Sequence, residues 1–323
     1  MSRSTIAPLW IAVAIVLLAA SAPALTGPAA PAKRQPAGAA AAPAADTTID
    51  SCSPAFWPGK KFVLLEKNRM FQEYGYELYA SPLFDKEKKA SDTAIETKQR
   101  RLRYRPFAGR TIMADGARKL ASGEYVVTFT TDTLERTVFG RTRGGAIEGI
   151  AWAGELLAAK AAWEGKSIHA RRASISVFDS VSSAYTTIGV SVLEPLRVAA
   201  VRWGVQPLPP QPVWLLVKSK DGSEGIIPVH MSWINVLREK RTPGNPWDAE
   251  ILDKNPKKAF HWDEYAWDAI ERHSIFVGMT AEQVRMSWGE PKSVRLDARS
   301  GTAFWQYEGN SLSFKNDTLT AQE

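Results

Sequence analysis

Histidine and cysteine are the residue types in this chain that most often carry metal or nucleophilic chemistry. The four histidines are His169, His230, His261 and His273. No two of them show the close spacing of an HExxH or HxH motif, which would bring two imidazoles to one metal ion. His273 follows a predicted helix, where a cation near the C-terminus is favourable. The spacing therefore predicts no metal site and no cofactor.

The single cysteine, Cys52, excludes an intrachain disulfide and a zinc cluster built on cysteines. A catalytic thiolate needs a structured element and a histidine partner, whereas Cys52 lies among polar residues at the edge of a Pro-rich segment. A lone thiol in an oxidising compartment could instead form an intermolecular disulfide. The chain also lacks a G-x-S-x-G nucleophile motif. We therefore predict that it is not an enzyme and has no catalytic residue.

The N-terminus has the three parts of a secretory signal peptide. Arg3 precedes an apolar run from Leu9 to Ala20, and Ala22-Pro-Ala24 offers small residues for cleavage. We predict a signal peptide over residues 1–24, with an uncleaved inner-membrane anchor as the alternative. No cysteine directly follows the apolar run, so lipid attachment is not expected. The Ala- and Pro-rich residues 25–52 are predicted to be a disordered tether.

The chain carries 41 Lys and Arg against 34 Asp and Glu, a net charge of +7. The densest basic run spans residues 98–105 and would give one basic face on a strand. The Gly- and Arg-rich residues 140–145 could hold an anion but lack the phosphate-loop pattern, so a plain basic loop is the favoured interpretation. Export argues against nucleic acid as a partner. Envelope proteins, lipid headgroups or an anionic cell-wall polymer are the expected partners, and a solvated basic face is the alternative.

Residues 53–235 are predicted to be a β-rich body. Period-2 apolar alternation predicts strands at 61–65, 124–130, 174–178 and 213–218, with Asp221-Gly222 as a hairpin turn before 225–229. The Ala- and Leu-rich segment 154–163 predicts one helix that Gly165 stops.

A six-residue pattern of aromatic, any, Gly, basic, any and apolar residues occurs three times in this body. It begins at Trp57, Phe107 and Trp163, with spacings of about 50 and 56 residues. An aromatic anchor and a flexible glycine before a strand would suit the start of a small β-barrel. The pattern predicts three related units, with a chance match of six residues as the alternative.

The segment from Pro212 to Val229 resembles the end of a bacterial SH3-like domain. The matching run is W-L-L-V-K-S-K-D-G-S-E-G-I-I-P, although Ile226 stands where that family often has Trp. The resemblance implies small SH3-like barrel modules. An ordinary Asp-Gly hairpin packed on a core is the alternative.

Residues 236–260 are polar and Pro-rich and are predicted to be a linker to a second domain, residues 261–323. A helix is predicted over Asp263–His273, with Tyr265, Trp267, Ala269 and Ile270 on its buried side. Thr280 and Gln283 form a candidate capping box for the next helix, which Gly289 and Pro291 end. The period then changes to two, which predicts strands at 293–297, 302–307 and 310–314 and a short fourth at 319–322.

The motif V-G-M-T-x-x-Q-V-x-x-x-W-G-x-P, followed by W-x-Y and L-x-F, resembles the SmpA/OmlA (BamE-like) domain of bacterial envelope proteins over residues 274–320. The matching residues are Gly278, Met279, Thr280, Gln283, Val284, Gly289, Pro291, Trp305, Tyr307, Leu312 and Phe314. The resemblance implies a small α-α-β-β-β fold in the periplasm and an accessory role in outer-membrane protein assembly. These residues also have structural roles as caps, turns and core.

The expected fold class is thus mainly β with an α+β C-terminal domain. We predict an exported, non-enzymatic protein, periplasmic or secreted, with a binding or scaffolding role and at most a peripheral membrane association after signal cleavage. The alternative is a peptidoglycan-binding or cell-wall processing accessory protein that uses its SH3-like modules. A third hypothesis is an enzyme whose site joins residues distant in sequence, and a deep pocket at His230, His261 or His273 would favour it.

Overall fold

The computed structural model describes residues 52–82, 96–97, 100–132, 135–205, 211–241 and 250–323. These residues form eighteen strands and three α-helices, so this part of the chain is mainly β, as its alternating apolar pattern predicts. None of the described helices is long and apolar enough to cross a membrane. The predicted signal peptide and residues 25–51 of the predicted tether lie outside the described residues.

Seven antiparallel strands form the first sheet. In chain order they are β1 (Lys61–Leu64), β2 (Tyr76–Tyr79), β3 (Arg101–Leu102), β4 (Thr111–Lys119), β5 (Tyr125–Thr131), β6 (Thr137–Thr142) and β7 (Ile150–Trp152). Across the sheet the order is β3-β2-β6-β5-β4-β1-β7. Trp57, Phe62, Tyr76 and Phe129 are the largest side chains in its core, and each is completely buried. A few large aromatic residues therefore supply much of this small interior.

Helix α1 (Ala153–Trp163) follows β7 and leads into a second sheet of seven antiparallel strands. These strands are β8 (Ser167–Ala170), β9 (Ser174–Asp179), β10 (Ala184–Gly189), β11 (Pro195–Trp203), β12 (Val213–Lys218), β13 (Glu224–Val229) and β14 (Ile251–Leu252). Their order is β10-β9-β13-β12-β11-β8-β14. The predicted turn joins β12 to β13, with Gly222 at a positive φ of 89°. α1 buries Ala159 and Trp163 in the core of this sheet.

The two sheets repeat one topology. Replacing each strand of the first sheet by the strand seven positions later gives the order of the second sheet. The fourth strand of each sheet, β4 and β11, also contains a register shift, at Ala114/Gly116 and at Val198/Ala200. Because such a bulge bends a strand, both sheets bend at the same place. The body is therefore built from two equivalent units.

The expectation of three units was wrong. The patterns at Trp57 and Trp163 precede β1 and β8, but the pattern at Phe107 lies inside the first sheet, before β4. Its glycines, Gly59, Gly109 and Gly165, all have positive φ, between 74° and 83°. The shared six residues thus mark a left-handed turn before a strand, a local feature that need not begin a unit.

The C-terminal part has the predicted order of elements. Two helices, α2 (Glu264–Glu271) and α3 (Ala281–Trp288), precede a four-stranded antiparallel meander. Its strands are β15 (Ser293–Asp297), β16 (Thr302–Gln306), β17 (Ser311–Lys315) and β18 (Thr318–Gln322). Helices and sheet close a third core around Trp267, Val284, Leu312 and Phe314. One detail of α2 differs: Ala266 is buried, whereas Tyr265 is 69% exposed and packs on Phe276.

The first and third cores both contain residues from the second unit. Trp233, Ile234 and Val236, which follow the second sheet's β13, are buried in the first core. Val192 and Leu193, which connect β10 to β11, are buried in the third core, and the Val192 amide donates to Glu271 O at 3.0 Å. The three cores therefore interlock through short apolar segments.

Residues 236–260 are only partly a connection. Val236 belongs to the first core, and β14 pairs with β8 as the last strand of the second sheet. Residues 242–249, between them, lie outside the described residues. The two apolar residues of β14 are too short a run to show a strand period in a polar segment, so the sequence pattern missed this strand.

Candidate functional site: a cleft between the two β units

A cleft of about 390 Å³ lies between the first sheet and residues 230–240, which follow β13 and precede β14 in the second unit. Residues 146–152 form one side and residues 234–237 form part of the other. Leu65, Ile150, Pro212 and Ile234 give the cleft apolar walls. Its polar side chains are Glu77, Glu148, Glu155, His230, Asn235 and Lys240. An apolar cavity of this size with a few convergent polar groups is typical of a ligand site.

Glu155 is the most buried ionisable group of the cleft, with 1% of the residue exposed. It lies in the first turn of α1, and its carboxylate accepts hydrogen bonds from the Met231 amide and the Ser232 hydroxyl. Burial raises the pKa of Glu155 to about 7, although these hydrogen bonds favour its charged form. Among the described residues, no cationic side chain forms a salt bridge with it.

Asn235 fixes one wall of the cleft by bonding to backbone of the first unit. Its Oδ1 accepts from the Ile147 amide at 2.7 Å, and its Nδ2 donates to Ile147 O at 3.1 Å and to Ile150 O at 2.8 Å. Asn235 has a φ of 59°, a left-handed conformation that asparagine tolerates better than most residues. This side chain thus connects the two units much as a strand partner would.

The other two carboxylates of the cleft have cationic partners. Glu148 lies 3.5 Å from Lys67 Nζ, and Glu77 lies 3.1 Å from the Arg101 guanidinium. The Lys67 side chain is only 3% exposed, and its burial lowers the pKa of the ammonium group, which Glu148 opposes. Lys67 and Arg101 therefore neutralise Glu148 and Glu77, and neither of these two cations lines the cleft.

Trp152 covers one end of the cleft, where the chain passes from β7 into α1. A Cβ atom at Gly154 would lie 2.3 Å from the Trp152 indole, so only glycine leaves room for this ring. Lys60 Nζ lies 5.5 Å from the centroid of the Trp152 ring, within range of a cation–π interaction.

The structure places the four histidines apart. His230 is buried in the cleft, with its ring 4.7 Å from that of Trp233. His169 Nδ1 lies 2.7 Å from Leu193 O, and His273 Nδ1 lies 2.8 Å from Ser287 O. His261 is exposed. Among the described residues no group of three His, Cys, Asp or Glu side chains is placed to hold a metal ion.

The sequence context of Cys52 predicts that it lies at the end of an exposed tether. The structure places it elsewhere. It is completely buried in the first core. Its carbonyl oxygen accepts from Trp57 Nε1 at 3.4 Å and from the Arg241 guanidinium at 3.3 Å. Because the thiol is shielded from solvent, an intermolecular disulfide at Cys52 would require opening of this core.

The two predicted basic features are fixed by internal contacts. In the 140–145 loop, Thr142 Oγ1 accepts from the Gly145 and Ala146 amides at 3.0 and 2.9 Å. Strand β3 covers only Arg101–Leu102, so the described residues 100–105 do not form the basic strand face that was predicted over 98–105. Residues 98–99 lie outside the described residues. Arg103 Nε donates to Glu96 O at 2.9 Å, and Arg101 pairs with Glu77.

The family-motif residues are structural. Thr280 and Gln283 form the predicted capping box, with N···O distances of 3.2 and 2.8 Å, and Gly289 ends α3 at a φ of 79°. The Tyr307 hydroxyl donates to Gly289 O at 2.8 Å. Gly278 has a φ of 109° and donates its amide to Leu319 O, and Pro291 lies between α3 and β15. The buried motif residues are Met279, Val284, Trp305, Leu312 and Phe314.

Comparisons with protein-family models, with curated proteins and with solved structures find no match for this chain. The resemblance to the SmpA/OmlA family therefore stays a prediction, which rests on the motif residues.

Glu155 and Asn235 line the cleft and Ser232 holds Glu155 in place, and the sequence did not indicate any of the three. The only signal for Glu155 is its position as the single acidic residue of an Ala- and Leu-rich helix. Ser232 and Asn235 lie about 80 residues from their partners, and no local pattern reveals such a separation.

Proposed function

We propose that this chain is an exported, non-enzymatic protein of the cell envelope that acts in the periplasm as a binding scaffold. In this proposal its C-terminal domain is BamE-like and links the protein to outer-membrane protein assembly. The observation that best supports a scaffold is the interlocking of the three cores through Trp233, Val236 and Leu193. Shared cores fix the positions of the β units and the C-terminal domain, because parting them would expose these apolar side chains.

The polar groups of the cleft also favour binding over catalysis. Asn235 makes three bonds to backbone atoms, and Glu155 accepts a backbone amide and a hydroxyl. Nucleophilic catalysis requires a nucleophile within reach of a base. Cys52 is buried in the first core and is not among the residues that line the cleft. The signal-like N-terminus supports export.

Photo-crosslinking in cells, combined with fractionation, tests this function. A crosslinking amino acid at the exposed Tyr265 or Leu296 should capture envelope proteins, and the tagged chain should fractionate with the periplasm. The same amino acid at the buried Leu312 is the matched control and should capture little. Recovery of cytoplasmic proteins only would overturn the proposal.

A second candidate function, peptidoglycan binding, is favoured by an aromatic cluster on the second sheet. Phe178, Tyr185 and Trp214 have ring centroids 4.9 to 6.2 Å apart, and the Arg202 guanidinium lies 5.5 Å from the Trp214 ring. Phe178 and Arg202 also line a groove of about 430 Å³ against β1. Trp214 is completely buried, whereas Tyr185 is 40% exposed and Phe178 lines the groove, so these two rings beside Arg202 suit a sugar and peptide polymer.

Sedimentation with purified cell-wall sacculi distinguishes this second candidate. The signal-free chain should sediment with the sacculi, and the Tyr185→Ala variant should remain mostly in the supernatant. If the unaltered chain stays in the supernatant, this candidate fails while the scaffold proposal stands.

A further inference from the structure

We propose that the cleft between the two β units binds a primary alkylammonium group, as carried by lysine and other diamino acids. This inference rests on the proposed binding function and names the ligand class of the candidate site. It follows from the charges, walls and size of the cleft.

The charges of the cleft lining favour a cation. Three acidic residues, Glu77, Glu148 and Glu155, line the cleft, together with the basic Lys240 and with His230. Lys67 and Arg101 neutralise Glu148 and Glu77. Glu155 is the carboxylate for which the described residues supply no salt bridge, so a ligand ammonium group would provide its counter-charge.

Glu155 can accept a further donor in its present position. An ionised carboxylate has about four acceptor sites, and the described contacts use three donors: the Met231 amide and the hydroxyl and amide of Ser232. These donors also hold the carboxylate in place, so little side-chain entropy is lost when the ligand binds. An ion pair that forms in a buried cleft is weakly screened by salt.

The walls and size of the cleft fit the carbon chain of such a ligand. Leu65, Ile150 and Ile234 are apolar, and a volume of about 390 Å³ accommodates a chain of about five carbons. Lys240 lines the same cleft and can attract the carboxylate of an amino acid. The lining thus favours an amine on an apolar chain over a multiply anionic ligand.

Calorimetric titration of the signal-free chain with n-pentylamine tests the proposal, with 1-pentanol as the uncharged probe of the same length. At about pH 8, pentylamine should bind at least about tenfold more tightly than pentanol, because only the amine pairs with Glu155. Equal affinity for the two probes, or no saturable binding of pentylamine, would overturn the inference.

The Glu155→Gln variant assigns the effect to this carboxylate. Its affinity for pentylamine should fall by about tenfold, whereas Glu224→Gln, an exposed glutamate of β13, should bind as the unaltered chain does. Unchanged binding by Glu155→Gln would contradict the proposal. Near-UV circular dichroism verifies folding of both variants.

The pH dependence gives a readout that needs no variant. Pentylamine binding should strengthen between about pH 5.5 and pH 8 as Glu155 ionises. Protonation of His230 at low pH would act in the same direction, while Glu77, Glu148 and Lys240 also face the cleft. Loss of the dependence in Glu155→Gln assigns it to Glu155; an unchanged dependence would assign it to His230 and contradict the proposal.

Two further probes distinguish the source of the amine. Soluble wall fragments with a free diamino-acid amine are compared with the same fragments after acetylation, and a lysine-containing peptide is compared with its acetylated form. The probe whose free amine binds more tightly identifies the source. If acetylation leaves the binding of both probes unchanged, the inference is overturned. Crosslinking to envelope proteins is measured separately, so failure here leaves the scaffold function intact.

Discussion

At the scale of single residues, burial and hydrogen bonding act on Glu155 in opposite directions. Its position in the first turn of α1 and its hydrogen bonds from Met231 and Ser232 favour the charged form, and complete burial opposes it. Burial is the larger effect, so the group binds a proton more tightly in the folded state than in the unfolded one.

Replacing Glu155 with Gln should therefore change how stability depends on pH. Because its folded pKa of about 7 lies above the ordinary 4.5, this carboxyl group destabilises the fold as pH rises through that window. Above neutral pH, this effect lowers the free energy of unfolding by about 3 kcal/mol. Urea unfolding at about pH 5 and pH 8 should show that Glu155→Gln gains stability relative to the unaltered chain as pH rises.

The exposed Glu224→Gln variant is the control for this measurement, and its stability difference should stay constant with pH. A constant difference for Glu155→Gln would show that the carboxyl group is not buried as the structure places it.

Cys52 gives a second prediction at the residue scale. A thiol-reactive reagent should modify the folded chain very slowly, because the side chain is completely buried and a thiolate must form to react. The reaction should become fast in denaturing urea, as a colorimetric thiol assay would show. Rapid and complete reaction of the folded chain would contradict this placement.

At the scale of elements, the capping box of α3 is a local stabilising unit. The Thr280 side chain accepts from the Gln283 amide, and Gln283 Oε1 accepts from the Thr280 amide. Thr280→Ala should lower the free energy of unfolding by about 1 kcal/mol, because α3 then loses one acceptor at its N-terminus. Denaturant titration measures the change. Thr280→Ser keeps the hydroxyl and should lose much less; equal losses would rule out the capping bond as the cause.

At the scale of the whole described molecule, the shared cores should couple units that are far apart in sequence. Trp233 follows the second sheet but is buried in the first core. Trp233→Ala should cost about 3–5 kcal/mol and loosen the first sheet. Hydrogen-exchange mass spectrometry should then show faster exchange in β4–β6 and little change in β16–β17. Faster exchange confined to the second sheet would contradict the shared core.

Much of the fold is predictable because its signals are local. The alternation of Val213–Lys218 and of Ser293–Asp297 gives β12 and β15 with the predicted bounds. Thr280, Gln283 and Gly289 act within one helix, so their spacing specifies its ends. Tyr265 shows the limit of such patterns, since the direction in which α2 packs decides which side of the helix is buried.

The candidate site was not predictable in the same way. Glu155 meets Met231 and Ser232 across more than 75 residues, and Asn235 meets Ile147 across 88. Contacts between residues so far apart depend on how the two units pack. No period or spacing in a single sequence predicts that packing. The three-unit expectation failed for a related reason, since a turn signature describes six residues and not the sheet they enter.

The sequence by itself determined the β-rich composition, the α-α-β order of the C-terminal part and the caps of α3, because hydrogen bonds and apolar periods act between near neighbours. Only the tertiary structure decided that two sheets share one topology, that Cys52 is buried, and that Glu155 lies in a cleft without a counter-charge from the described residues. These features arise from packing between distant segments. That packing decides which groups are buried, and so shifts the pKa of a carboxyl group, and it decides which side chains an apolar residue contacts.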